Sequence, residues 1–218
     1  MATISEHIEQ LKIDKQTLVD NLVEKGVTAT SNETFTTLVP KVKDIQAGDE
    51  ELTNSFISLL DETDGANCTK IPDLINIGEY AFYSKSNLAF KKLPDSVVTI
   101  GSRAFIACTN MNLEKLSSNL TTIGESAFQN CKGLTSLDTV STALSKIDTN
   151  AFNGCSNLTT LIVRATTPPT LKSQPFSATP IANGTGYIYV PDESVEAYKT
   201  SWSGYANQIK GISELAIE

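Results

Sequence analysis

One histidine, His7, serves the whole chain, so no second imidazole is available for a paired metal site. Flanked by Glu6 and Glu9, it reads as a surface residue near a helix start. Gly-x-Ser-x-Gly, P-loop and Gly-x-Gly-x-x-Gly motifs are all missing. Catalysis needs polar groups converging in a pocket; no such constellation is visible, and the chain is read as a non-enzyme with no cofactor and no metal. No stretch approaches the ~18 apolar residues of a membrane helix, which argues against membrane insertion. Basic side chains form no stripe, which argues against a nucleic-acid partner. Residues 1–10 have neither a basic start nor an apolar core, so no secretory signal is expected there. Leu93-Pro-Asp-Ser-Val97 reads as a turn rather than a sortase site.

Charge is unevenly spread. Residues 1–66 hold 13 acidic and 5 basic side chains, a net of −8, whereas residues 67–218 hold 12 and 12, a net of zero. An acidic surface of this kind keeps a protein soluble, or docks it onto a basic partner.

What the chain does have is a repeat. Ile-Gly-x-x-Ala-Phe occurs at Ile77–Phe82, Ile100–Phe105 and Ile123–Phe128, and Ile147-Asp-Thr-Asn-Ala-Phe152 keeps the pattern with Asp148 in place of glycine. The isoleucines lie 23, 23 and 24 residues apart, a period that means stacked coils, each too small to bury its apolar face alone. Downstream of each phenylalanine, apolar residues recur at strand-like spacing: Leu88, Phe90, Leu93; Met111, Leu113, Leu116; Leu134, Leu137, Val140; Leu158, Leu161, Val163. Side chains alternate across a strand, so these point inward and their neighbours outward. The outward row is the candidate binding surface: Lys91, Lys92, Asn112, Glu114, Lys115, Thr135, Ser136, Asp138, Thr159, Thr160, Ile162 and Arg164. Its serines and threonines suit a polar or carbohydrate partner. The Ala-Phe step reads as the returning turn, where a small residue lets coils approach and the ring fills the interior.

Cys108, Cys131 and Cys155 each follow a ladder phenylalanine by three residues. Their separations of 23 and 24 lack the paired spacing of zinc ligands. Stacked at about 5 Å, the strand spacing, they read as small buried hydrophobes. Lys85 holds the same position in the first coil, so a series of linked pairs is not implied. Cys68 reads as core of an end unit.

These residues resemble the leucine-rich repeat of the BspA-like type, Ile-Gly-x-x-Ala-Phe-x-x-Cys-x-x-Leu. The resemblance covers roughly residues 51–212 and implies a solenoid of repeats starting at Ile77, Ile100, Ile123 and Ile147. Phe56–Leu60 with Thr69–Pro72 is similar to an amino-terminal cap and half repeat. Pro168-Pro169, Tyr189-Val-Pro191, Val195–Tyr198, Trp202 and Tyr205 are similar to a carboxyl-terminal cap over about 165–212. Asn183–Gly186 reads as a turn into a cap strand, and Asp192-Glu193 as the cap of a short helix, Ser194–Tyr198.

Ahead of the solenoid, Ile4, Ile8, Leu11, Leu18 and Leu22 fall on one helical face. Gly26 ends that helix, and a second runs from Ser31-Asn32 toward Ile45, weakened by Pro40. Gln46–Glu50 reads as a linker. The expected class is therefore α+β, with a helical attachment or oligomerisation segment at 1–46 and a capped solenoid at 47–212. The segment through Leu11, Leu18, Leu22-Val-Glu-Lys-Gly-Val27 and Leu38–Val42 resembles a helical hairpin of phage tail and capsid-surface proteins. That resemblance implies a virion surface protein, of tail-fibre or head-decoration type. Its helices would bind other virion proteins and its solenoid a host surface protein or carbohydrate, with a trimer the homo-oligomer favoured by analogy. The alternatives are a bacterial cell-surface adhesin module or a purely structural virion component.

Overall fold

The computed structural model describes residues 16, 19–20, 22–23, 28–30, 75–86, 88 and 91–215. Within residues 75–215 the chain winds through successive coils, each contributing one short strand to a first parallel sheet. That sheet joins β1 (Asn76–Ile77), β2 (Thr99–Ile100), β3 (Thr122–Ile123), β5 (Lys146–Ile147) and β7 (Thr170–Leu171), in that order. Its register sets Ile77, Ile100, Ile123, Ile147 and Leu171 in one row. A second parallel sheet joins β4 (Ser136–Asp138), β6 (Thr160–Ile162), β8 (Tyr187–Val190) and β9 (Ile209–Gly211). Single bridges carry it back through Lys115 to Lys92. Parallel strands need long crossovers, and here each crossover is the rest of a coil.

Between the sheets runs the phenylalanine ladder. Phe82, Phe105, Phe128, Phe152 and Phe176 are fully buried, and neighbouring rings lie nearly parallel, 4.9, 5.2, 5.3 and 5.7 Å between centroids. The spacing is that of hydrogen-bonded strands, so the rings inherit their stacking from the backbone. Backbone amides along the returning turn alternate in their partners. Arg103, Phe105 and Ala107 donate to Glu125, Ala127 and Gln129 of the next coil, while Ala104, Ile106 and Cys108 donate within their own coil to Gly101, Arg103 and Phe105. This alternation puts two left-handed residues in each coil: Tyr80 and Ser84, Arg103 and Ala107, Ser126 and Asn130, Asn150 and Gly154, Gln174 and Ala178. Inter-coil bonding compensates the strain that non-glycine residues carry there. Gly101 is required for a different reason: a Cβ would lie 2.8 Å from the Ile77 carbonyl oxygen and 2.9 Å from the Glu79 nitrogen.

Three expectations change. The segment from residue 165, read as cap, opens with a further coil: β7 pairs with β5, and Phe176 extends the ladder. Val140, read as inward-facing, is half-buried with φ 56, while its neighbours Thr139 and Ser141 are buried instead. Asp192 does not cap the following helix, α1 (Val195–Ser201), whose start has no side-chain cap; its carboxylate accepts from the Ser213 amide and hydroxyl at 3.2 and 2.8 Å.

Beyond the fifth coil, two aromatic donors close the core. Tyr198 Oη donates to the Ala165 carbonyl at 2.7 Å and Trp202 Nε1 to that of Pro169 at 2.9 Å. Both rings are buried, so each satisfies its polar atom while covering apolar surface. Tyr205 meets the Phe176 ring edge-on at 5.2 Å. Of the proposed amino-terminal stripe, Leu22 is helical and buried, as is the nearby Val19. Ile4, Ile8, Leu11 and Leu18 lie outside the described residues, as do the expected second helix, the linker and the amino-terminal cap.

Candidate recognition face

The second sheet turns one row of side chains inward and one outward. Leu137, Leu161, Ile188 and Ile209 form the inner row and are all buried. The outer row follows the register Lys92, Lys115, Asp138, Ile162, Tyr189 and Lys210, flanked by Ser136, Thr160 and Tyr187. Of the predicted surface residues, Lys92, Lys115, Ser136, Asp138, Thr160 and Ile162 fall within this register. Lys91, Asn112, Glu114, Lys115, Thr135, Ser136 and Thr159 are exposed, and Lys92, Asp138, Thr160 and Arg164 are half-buried. Ile162 differs: it stands between Asp138 and Tyr189 in register and is only 7% exposed. It belongs to the packing of the sheet rather than to its contact surface.

Ion pairs, one across coils and one within a coil, hold the charged members. Lys91 Nζ lies 2.6 Å from Glu114 Oε1, and Lys92 Nζ 2.7 Å from Asp95 Oδ2. Exposed pairs of this kind contribute little to stability, but they order long side chains on a regular grid. The strongest pair is Arg164 with Asp138. Arg164 Nε donates to both carboxylate oxygens, at 2.9 and 3.1 Å, and Nη2 to Oδ2 at 2.7 Å. This fork geometry is specific to arginine and carboxylate.

The same carboxylate secures a strained turn. Val140 N donates to Asp138 Oδ1 at 2.9 Å, and the Ser141 amide donates to the Thr139 carbonyl two residues back. An i→i+2 bond around a residue at φ 56 is a γ-turn of the rare, strained kind. Here it holds a β-branched side chain, at a cost of about 1–3 kcal/mol. Ser141 Oγ donates to the Leu120 carbonyl at 2.7 Å and accepts from Ala143 N at 3.0 Å, tying the turn to the coil before it. Such strain persists only where the surroundings over-determine it.

Sequence reading ended the face at Arg164 and missed Tyr187 and Lys210; Tyr189, in the outer row beside Ile162, is buried like it. Lys210 Nζ sits 4.0 Å from the Tyr187 ring centroid, and the two tyrosine rings are 6.3 Å apart. The alternation Tyr187-Ile-Tyr-Val190 was the available signal.

Cys108, Cys131 and Cys155 are buried and unpaired, and each donates to the carbonyl of a ladder phenylalanine one coil earlier: Phe82, Phe105 and Phe128, at 2.9, 2.9 and 3.0 Å. Burial pushes the Cys131 thiol well up and that of Cys155 to about 12. Cys68 lies outside the described residues. Among the described residues no group of three or more His, Cys, Asp or Glu side chains could hold a metal ion, and no helix is long and apolar enough to cross a membrane.

A family model for the BspA type leucine rich repeat region matches residues 75–195 in 6 copies. Among solved structures, a leucine-rich repeat protein from Bacteroides ovatus is 22% identical over 58% of this chain and 45% of that one, with a TM-score of 0.33. The chain spans less than half the length of that protein. No curated protein matches it.

Proposed function

The chain belongs to the BspA-type leucine-rich-repeat family, and on that premise we propose that it is a non-catalytic display module that binds a partner through the outer face of its second sheet. The observation that carries this reading is the face itself. Exposed Ser136 stands in register with Thr160 and Tyr187, and exposed Lys115 with Asp138, whose carboxylate Arg164 grips in a fork, while Lys210 lies over the Tyr187 ring. Side chains held on a rigid strand grid lose little conformational freedom when they bind. Extended repeat faces serve recognition in this way. Hydroxyls beside a tyrosine suit a polar, carbohydrate-bearing partner. Residues 1–46 are the attachment segment in this reading, with a phage particle as the support that their hairpin resembles.

The test is adsorption of the purified chain to cell envelopes from a panel of Gram-positive bacteria. Ser136→Glu with Thr160→Glu alters the proposed face. Thr99→Glu with Thr122→Glu alters the first sheet at matched positions. Binding should be lost in the first pair and kept in the second. Equal binding by both pairs would show that this face is not the contact surface.

A further inference from the structure

Two Asn-Gly steps occur in the chain, at Asn153-Gly154 and Asn183-Gly184, and the fold treats them differently. In such a step the glycine nitrogen can reach the asparagine side chain, because no Cβ obstructs its approach. At the first step the chain is pinned between coils. The Gly154 amide donates to the Ser177 carbonyl at 2.8 Å, the Asn153 carbonyl accepts from Asn130 N at 2.8 Å, and Asn153 Nδ2 donates to Asn150 Oδ1 at 3.2 Å. Packing adds to the restraint, since a Cβ on Gly154 would collide with Asn130 Oδ1.

At the second step backbone bonds hold the residues around it, Asn183 N donating to the Thr179 carbonyl at 3.1 Å and Thr185 N and Gly186 N to that of Pro180 at 2.9 Å, but the reacting side chain and the attacking amide are held far less. Asn183 and Gly184 are exposed in the turn before β8. The Asn183 side chain makes no hydrogen bond among the described residues. The Gly184 amide has one long bond, 3.3 Å to the Ile181 carbonyl. The nearest atom to a Cβ at Gly184 would be Gln208 Nε2, 3.7 Å away.

We propose that Asn183 is a site of spontaneous succinimide formation, and that the fold protects Asn153 from the same reaction. The Gly184 nitrogen attacks Asn183 Cγ, forming the N–Cγ bond. The Cγ–Nδ2 bond breaks, and ammonia leaves with the former amide proton. Water then opens the five-membered ring at either carbonyl, giving aspartate or isoaspartate. The net change is one added negative charge per molecule, and in the isoaspartate form an extra backbone methylene. Both changes fall in the turn before β8, the strand that carries Tyr187 onto the outer face.

Peptide mapping of the intact chain, aged in mildly alkaline buffer, tests this. The Asn183 peptide should gain about one dalton with isoaspartate present, while the Asn153 peptide stays unchanged. In a urea-unfolded sample both peptides should convert. Asn183→Gln should remove the acidic shift on ion exchange without altering the melting temperature. Conversion of Asn153 at the rate of Asn183 in the folded chain would overturn the proposal. So would an unchanged Asn183 in folded protein when the excised peptide converts.

Discussion

Arg164 reaches back one coil to Asp138, and the carboxylate it grips also accepts the amide of Val140. One side chain thus links two coils and secures a strained turn. Asp138→Asn keeps the shape but weakens both roles, and stability should fall by about 1–3 kcal/mol. Val140→Gly should act oppositely. It relieves the left-handed valine and gives back part of that gain as unfolded-chain entropy, for a net stabilisation of about 1 kcal/mol. Urea unfolding measures both, and a lower midpoint for Val140→Gly would mean that the turn is not strained.

The centre of the phenylalanine ladder is closed on both sides, Phe128 having parallel rings 5.2 and 5.3 Å away. Phe128→Ala should cost about 3–5 kcal/mol, from lost burial plus the cavity that stacked neighbours cannot collapse to fill. A melting temperature within about a degree of wild type would contradict this, since a loss of that size shifts melting by several degrees.

The Cys131 and Cys155 thiols should be silent in the folded state. With their pKa raised by burial, Cys131 and Cys155 stay protonated at pH values where an ordinary cysteine, with a pKa of about 8.5, ionises. Labelling of Cys131 and Cys155 in native protein, read by peptide mapping, should remain slow and nearly flat between about pH 7 and about pH 9, then become rapid in denaturant. Mass spectrometry of unreduced protein should show no loss of hydrogens. A disulfide between any two of Cys108, Cys131 and Cys155 would break the observed thiol-to-carbonyl pattern.

Asp148 occupies the position that glycine holds in the preceding coils. Its hydrogen bond from Lys146 and that from the Thr149 amide keep its carboxyl below the usual carboxylate range, against the opposing effect of burial. A folded pKa below the unfolded one means that the stabilisation is present above about pH 3.9, the ordinary aspartate value. It is lost as pH falls through the folded pKa. Asp148→Asn should therefore lower stability at neutral pH and flatten the acid limb of the melting curve. An unchanged acid limb would show that Asp148 contributes nothing to it.

The first four coils were legible because each repeats the same isoleucine, small residue and phenylalanine. The fifth was hidden because it keeps so little of them: Leu171, Lys172, Pro175 and Thr179 stand where isoleucine, glycine, alanine and cysteine stood, and Phe176 alone persists. The coil survives because inter-coil bonding uses backbone. The Pro175 carbonyl still accepts from Phe152 N at 2.8 Å, and proline gives up only the amide that in other coils donates locally. The outer face was legible through Arg164 by strand alternation. Ile162 was misplaced because alternation does not reveal lateral cover, and the γ-turn at Val140 has no marker in residue type. Asp192 was read as a helix cap, whereas its partner Ser213 lies 21 residues away and local pattern carries no trace of that pairing.

Surface display is the central claim, and immunogold labelling of intact phage particles from the source host, with antibody raised against residues 75–215, tests it most directly. Gold on the exterior of undisrupted particles is the predicted result, at the tail for a host-binding role or over the head for decoration. Label that appears only after disruption, or no label on particles at all, would contradict it.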